Sequence, residues 1–189
     1  MKTSKEISKS IVVLALLTAL VLAVPLVAMQ FTEEVNWSVA DFLVMGILIF
    51  SSGLSYVLIT RYVTNAVYKV AIIVALGSTF LMMWVNLAVG LIGSGPHLGN
   101  LMYLGVMAVG LVSAILSRFT PAGMERTMFA MAFALVVLVS IALSTNMQQY
   151  PGSSVTLIVG INSFFAILFV SAGLLFRYVA LKQSKLLEK

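Results

Sequence analysis

The side chains that could do chemistry in this chain are mostly neutral and stand inside long apolar stretches. Asn86 and Asn162 each interrupt such a stretch, where an amide strongly prefers a hydrogen-bonding partner. Trp84 lies two residues before Asn86 and could form a wall of a pocket, and Tyr103 fits the aromatic belt on the same side of the membrane. We therefore predict a ligand-binding pocket lined by Trp84, Asn86, Tyr103 and Asn162. The alternative interpretation is that the asparagines only join helices to one another. We expect Asn86 to face protein or a polar cavity, with Asn162 as its preferred partner.

Groups suited to catalysis or metal binding are scarce. No acidic or basic residue stands in the middle of an apolar stretch, and His97 is the one histidine of the sequence. Proton relays in membranes generally use such a charged group or a histidine, and covalent catalysis needs a nucleophile with an activating base. The chain has no cysteine, which excludes thiolate metal sites. We expect no catalytic residue, no metal and no cofactor, and we predict that His97 is a solvated loop residue.

The composition requires lipid as the solvent for much of the surface. Hydrophobic residues make up 61% of the chain and charged residues 9%, and the mean hydropathy is +1.12. Soluble domains usually carry about 25% charged residues. Six uncharged apolar runs have the length of about 17–25 residues that a membrane-spanning helix needs, and they cover residues 11–29, 42–60, 70–93, 101–117, 128–145 and 155–176.

These runs are hydrophobic throughout and do not alternate, which favours helices over the strands of a β-barrel. We predict an all-α polytopic transmembrane bundle of six transmembrane helices, forming a single domain over residues 1–189. The connections are short, so neighbouring helices should run antiparallel. Ser38 and Asp41 have the spacing of a capping box before the second helix, and Thr120 followed by Pro121 is typical of the start of the fifth.

The charges divide unequally between the two ends of such a bundle. If the N-terminus is cytoplasmic, all eleven lysines and arginines fall on the cytoplasmic side, whereas Glu33, Glu34 and Asp41 fall on the other. The positive-inside rule then predicts that both termini are cytoplasmic. Membrane topology and anionic lipid headgroups explain the net charge of +5, so we expect no nucleic-acid partner.

A cleaved signal peptide over residues 1–29 is a competing interpretation. The basic start of the chain fits it, but the apolar run is longer than the usual signal core of about 7–15 residues. No small-residue cleavage motif precedes Gln30, where the sequence reads LVAMQ. We therefore predict that this segment is retained as the first transmembrane helix.

Helices two, four and six end alike, in GLSYVLITRY, GLVSAILSRF and VSAGLLFRY. Their arginines, Arg61, Arg118 and Arg177, follow one another at intervals of 57 and 59 residues, and each precedes an aromatic residue. One interpretation is a triplicated helical hairpin, as in some transporters. The simpler one, which we favour, is that each helix needs a basic stop and an aromatic anchor at the membrane boundary.

Small residues at intervals of four mark where helices could pack closely. They form a ridge on the first, third and fifth helices, at Ala15, Ala19 and Ala23, at Ala71 and Ala75, and at Ala130 and Ala134. Such ridges join helices within one chain as readily as they join subunits.

Three stretches carry a resemblance to known proteins: WVNLAVGLIG followed by Asn100 and Tyr103, the acidic link EEVNWSVADF, and RFTPAGM. Together they make the chain resemble an uncharacterised group of small bacterial multi-pass inner-membrane proteins. The resemblance implies a multi-pass protein of the bacterial inner (plasma) membrane and carries no activity with it. Members of that group tend to have an acidic residue after the IG, where this chain reads SGPHLGN, and this argues against an acidic cation site there.

The function that these observations favour is that of a non-enzymatic integral membrane protein. We expect it to act as an interaction or accessory subunit, or to bind an apolar or neutral ligand within its helix bundle. Besides the lipid bilayer, further copies of the chain or another membrane protein are the expected partners. The alternative is a small permease or channel for a neutral solute, and a lipid-modifying membrane enzyme is the third hypothesis.

Overall fold

The structure, a computed structural model, describes residues 4–95 and 97–187. Within these residues it contains helices and no strand. The six α-helices are α1 (Ser4–Ala28), α2 (Val39–Ile59), α3 (Ala66–Ala88), α4 (Met102–Leu116), α5 (Pro121–Ser144) and α6 (Val155–Leu187). All six, α4 together with the preceding 3-10 turn Leu98–Leu101, are long and apolar enough to cross a membrane. The predicted all-α fold of six helices is confirmed, and it indicates a multi-pass membrane protein.

The chain divides into two compact units between Thr64 and Asn65. The first is the hairpin of α1 and α2. The two helices meet closely at Gly53, where a Cβ atom would lie 2.3 Å from Cδ1 of Leu14. The predicted capping box at the start of α2 is confirmed: the Ser38 hydroxyl accepts from the amide of Asp41 (3.3 Å), and Asp41 Oδ2 accepts from the amide of Ser38 (2.7 Å).

The second unit contains α3 to α6. Helix α6 packs against both α3 and α5, and α4 packs against α5. Three phenylalanines of α6 are almost fully buried at the centre of this unit, namely Phe165, Phe169 and Phe176. Helix α3 begins beside the end of α4, since the Tyr68 hydroxyl donates a hydrogen bond to the carbonyl oxygen of Phe119. Neighbouring helices in this unit are therefore antiparallel, as the short connections predict.

The turn between α4 and α5 has an unusual backbone. Arg118 and Phe119 both have positive φ angles, 51° and 55°, which side chains other than glycine rarely adopt. Thr120 then caps α5, and Pro121 occupies its first turn, as predicted from the sequence. Two elements hold the turn in place: the Tyr68 hydrogen bond to Phe119, and the bond from the Thr120 hydroxyl to the Ser117 carbonyl at 2.9 Å.

The three arginines of the proposed repeat lie in three different local structures. Arg61 lies in a 3-10 turn with its guanidinium 4.9 Å from the ring centroid of Tyr62. Arg118 lies in the left-handed turn, and Arg177 lies within α6, 3.9 Å from Glu125. These differences favour the simpler interpretation, in which each arginine marks the level at which its segment reaches the membrane surface, whether the helix ends there or continues as α6 does.

Helix bounds differ from the uncharged runs at several ends. Helix α5 begins at Pro121 rather than 128, and α6 continues to Leu187 rather than ending at 176, because a helix carries charged side chains where it leaves the hydrocarbon. Helix α3 instead stops before its apolar run does: it ends at Ala88, whereas the run continues to residue 93. Leu91 and Ile92, counted as helix in the sequence, are fully buried loop residues.

Candidate functional site

Tyr103 and Asn162 meet in the interior of the second unit. Tyr103 stands at the start of α4 and Asn162 in the second turn of α6, and both are at least 98% buried. The phenol oxygen lies 3.2 Å from Asn162 Oδ1, to which it donates, and 3.0 Å from Nδ2, from which it accepts. Nδ2 also donates to the carbonyl oxygen of Ile158 at 2.8 Å. Every polar atom of the pair therefore has a partner within the protein.

Asn86 has a different partner from the one expected. Its Nδ2 donates to the backbone carbonyl oxygen of Asn100 at 3.1 Å, so the expectation that it pairs with Asn162 is wrong. The reason lies in the early end of α3: Asn86 is in the last turn of the helix, about 3 Å along the axis from Ala88. The side chain faces protein, as expected, although its Oδ1 is buried without a hydrogen-bond partner.

Trp84 points away from these polar groups. Its side chain is 42% exposed and its ring lies 5.8 Å from that of Phe80. Two residues along a helix correspond to about 200° of rotation, which places Trp84 and Asn86 on different sides of α3. The structure thus joins Tyr103 to Asn162 and leaves Trp84 and Asn86 in separate environments. The role of these four residues in binding a ligand stays a prediction.

Asn100 organises the connection between α3 and α4. Its side chain is 8% exposed and forms four hydrogen bonds with the loop that precedes it. Oδ1 accepts from the amides of Leu91 (3.0 Å) and Ile92 (2.9 Å). Nδ2 donates to the carbonyl oxygens of Ile92 and Gly95, both at 3.3 Å. Sequence reasoning assigned no role to Asn100; the available signal was an asparagine following a glycine-rich break in an apolar stretch.

Gly90 makes this arrangement possible. Its φ is +75°, and a Cβ atom there would lie 2.7 Å from Asn100 Nδ2 and 2.8 Å from the carbonyl oxygen of Gly93. Glycine adopts positive φ readily and ends helices for this reason. Helix α3 therefore stops here, although the residues that follow are apolar enough to continue it.

The connection between α5 and α6 packs against the same loop. Ser94 donates through its amide (2.8 Å) and its hydroxyl (3.1 Å) to the carbonyl oxygen of Pro151. His97 stacks on Tyr150, with ring centroids 4.8 Å apart and planes 18° from parallel. The prediction of His97 as a solvated loop residue is therefore only partly right: it lies in a loop, but it is half-buried. We call these two connections, residues 89–95, 97–101 and 145–154, the cap.

The cap end also holds buried oxygens that could accept hydrogen bonds from water or a ligand. Gln148 Oε1 and Ser153 Oγ are buried without a hydrogen-bond partner, as is Asn86 Oδ1 just below. Among the described residues, no three His, Cys, Asp or Glu side chains come close enough to hold a metal ion.

A groove with a volume of about 580 Å³ lies between α4 and α5. Its floor consists of Val106 and Leu138, which are both 3% exposed. Helix α4 contributes Met102, Gly105, Val106 and Val109, and α5 contributes Ala130, Phe133, Ala134, Val137, Leu138 and Ile141. All of these side chains are apolar, and they include both alanines of the ridge predicted on the fifth helix. We call this the α4–α5 groove.

The groove is closed at one end and reaches the cap at the other. One residue beyond Val109, the helices come together: a Cβ atom on Gly110 would lie 2.6 Å from Sδ of Met131. Toward the cap the groove continues to Met102, the first residue of α4, and to Ile141 near the end of α5. It therefore occupies the half of the unit that bears the cap.

No protein-family model, curated protein or solved structure matches this chain.

Proposed function

We propose that this chain is a non-enzymatic integral protein of the bacterial inner membrane that binds an apolar ligand in the α4–α5 groove. One observation carries the proposal: an open groove of about 580 Å³, whose lining side chains are all apolar, lies on the second unit. Ligand sites have volumes of about 300–1,000 Å³ and are lined mainly by apolar side chains. A groove without polar side chains selects a ligand that is apolar at that position.

The polar residues of the unit favour the binding of an apolar ligand over the transport of a neutral solute. A permease of that kind would need free hydrogen-bonding groups along one route. Asn162 is instead fully engaged by Tyr103 and Ile158, and Asn86 Nδ2 is directed to the backbone of Asn100. Among the described residues of the unit, the buried oxygens without a partner, those of Asn86, Gln148 and Ser153, are gathered at the cap end and do not follow the length of the unit. These contacts stabilise the bundle, in agreement with the interpretation of the asparagines as groups that join helices.

An accessory subunit is the second candidate, and the surface of α1 favours it. Ala15 and Ala19 are exposed, whereas Leu14 on the same helix packs against α2. Small residues on an exposed helix face allow another helix to approach closely. This candidate predicts that a second polypeptide remains bound to the purified chain.

Native mass spectrometry of the full chain, purified in mild detergent, tests the proposal. We expect the wild-type protein to retain an apolar small molecule that organic extraction releases. Gly105→Leu together with Ala134→Leu should abolish retention, because the added side chains fill the groove. Ala108→Leu is the matched control, since Ala108 is exposed on the same helix outside the groove. Equal retention by the filled variant and the control would contradict the proposal.

We also propose that both termini are cytoplasmic, and cysteine labelling tests this. The chain has no cysteine, so single cysteines can be introduced at exposed positions. Cysteines at Ala122 and Ser184 should resist a membrane-impermeant thiol reagent in intact cells, whereas cysteines at Leu98 and Gln149 should react. Gly99 and Gly123 are unsuitable positions, because Gly99 is buried and a Cβ on Gly123 would lie 2.2 Å from Cβ of Ser117. Labelling at Ala122 without labelling at Gln149 would refute this orientation.

A further inference from the structure

The length of the α4–α5 groove matches one leaflet of a bilayer. On α5 the lining extends from Ala130 to Ile141, which corresponds to about 16 Å at 1.5 Å per residue. The hydrocarbon core is about 30 Å thick, so one leaflet contributes about 15 Å. The groove begins at the cap end of both helices and ends where Gly110 meets Met131. On α4 the lining extends from Met102 to Val109, about 10 Å at the same rise per residue. The α5 wall of the groove is therefore as long as an acyl chain in the leaflet on the cap side, and the α4 wall covers about two thirds of that length.

The size of the groove argues against a protein as its occupant. Ten residues line it, whereas a stable protein interface uses about 20–30 residues from each partner. A transmembrane helix would also need to continue across both leaflets. The contact of Gly110 with Met131 closes the groove at the depth where such a helix would have to pass.

The absence of charged side chains among the described residues around the groove also favours a lipid as its occupant. The lining residues carry no charge and no polar side chain. The described cap residues above the groove include no lysine, arginine, aspartate or glutamate. Ser144, the last residue of α5, and Thr145, which follows it, are exposed and uncharged, and their hydroxyl groups donate to backbone carbonyl oxygens of α5. A lipid whose headgroup has no net charge is compatible with all three features.

From these observations we infer that the α4–α5 groove binds one acyl chain of a lipid in the leaflet on the cap side. The carboxyl end of the acyl chain lies near Met102 and Ile141, and its methyl end near Val109 and Ala130. Gly105 and Ala134 provide the space for the chain, and Val106 and Leu138 form the surface on which it lies. This inference rests on the proposed function and adds the class of the ligand and the direction in which it enters.

Photo-crosslinking with the full chain in phosphatidylcholine vesicles tests the inference. Two probes are used, each a phosphatidylcholine with a diazirine on one acyl chain, either next to the carboxyl group or at the methyl end. Peptide mass spectrometry maps the crosslinks. We expect the carboxyl-end probe to label Met102 and Ile141, and the methyl-end probe to label Val109 and Ala130. Labelling within the groove should exceed that at Ala108 several-fold.

The groove-filling variant, Gly105→Leu with Ala134→Leu, should reduce this labelling to the level at Ala108, and Ala108→Leu should leave it unchanged. If the filled variant does not fold, the order of the crosslinks in the wild-type chain together with their several-fold excess over Ala108 decides. A reversed order, which indicates a lipid of the other leaflet, overturns the inference, as does uniform labelling of exposed positions. Retention of an apolar molecule without lipid crosslinks in the groove would leave the proposed function standing and refute the acyl-chain assignment.

Discussion

Replacing Asn100 with leucine is expected to unfold the cap and lower the thermal stability of the whole chain. The substitution leaves the buried amides of Leu91 and Ile92 without acceptors, and each orphaned group costs about 1–3 kcal/mol. A chain of this size loses roughly 2–4 °C in Tm for each kcal/mol, so we expect a decrease of roughly 10 °C in detergent. Hydrogen exchange at the amides of Leu91 and Ile92 should accelerate in parallel, because these groups lose their partner.

Asn100→Asp and Asn36→Ala provide the comparison for this result. Asn100→Asp keeps the two acceptor contacts of Oδ1 but loses the donors to Ile92 and Gly95, so its stability should lie below that of the wild type. Asn36→Ala changes an exposed asparagine in the connection between α1 and α2 and should leave Tm nearly unchanged. Wild-type Tm and wild-type amide protection in Asn100→Leu would show that this side chain does not organise the cap.

The second large effect is expected at the Tyr103–Asn162 pair, measured by a double-mutant cycle of unfolding free energies. Asn162→Leu leaves the fully buried Tyr103 hydroxyl without its partner, and Tyr103→Phe leaves Asn162 Oδ1 without its donor. Each single variant should lose about 1–3 kcal/mol. The double variant should lose less than the sum, with a coupling near the average of about 0.6 kcal/mol for hydrogen bonds between transmembrane helices.

This cycle also separates the two interpretations of the asparagines. If the pair joins α4 to α6, the coupling is positive without any ligand present. If Asn162 instead served mainly as a ligand contact, the two losses would be additive and the retention of a bound molecule would change. Ser140→Ala is the control, because Ser140 is exposed and its hydroxyl bonds only within its own helix, to the Val136 carbonyl at 2.9 Å. We expect it to change stability by less than either single variant.

The cap and the α4–α6 contact both help to keep the groove open for the proposed ligand. They fix the starts of α4 and α6 at one end of the unit, while the Tyr68 contact with Phe119 fixes the turn at the other end. The space between α4 and α5 can then persist without a side chain to fill it. The open part of the unit is thus the apolar groove, and the polar contacts serve to keep its shape.

The sequence by itself determined the number and type of the elements. A run of about 20 apolar residues has one way to satisfy its backbone in lipid, which is a helix, so hydropathy and length suffice to count six. Local signals also fixed the caps at Ser38 and Thr120, because those hydrogen bonds involve residues three positions apart. All of these features depend on neighbours along the chain.

Only the tertiary structure decided which side chains meet. Hydropathy could not reveal that Leu91 and Ile92 leave the helix, since a buried loop is as apolar as a buried helix. Asn86 and Asn162 were equivalent in sequence, and their different partners depend on the rotation of α3 and on a carbonyl 14 residues away in the chain. The groove arises because α4 and α5 touch at Gly110 and Met131 and separate toward the cap. Contacts of this kind join residues far apart in the chain. The local pattern of a single sequence therefore does not show which of these residues meet.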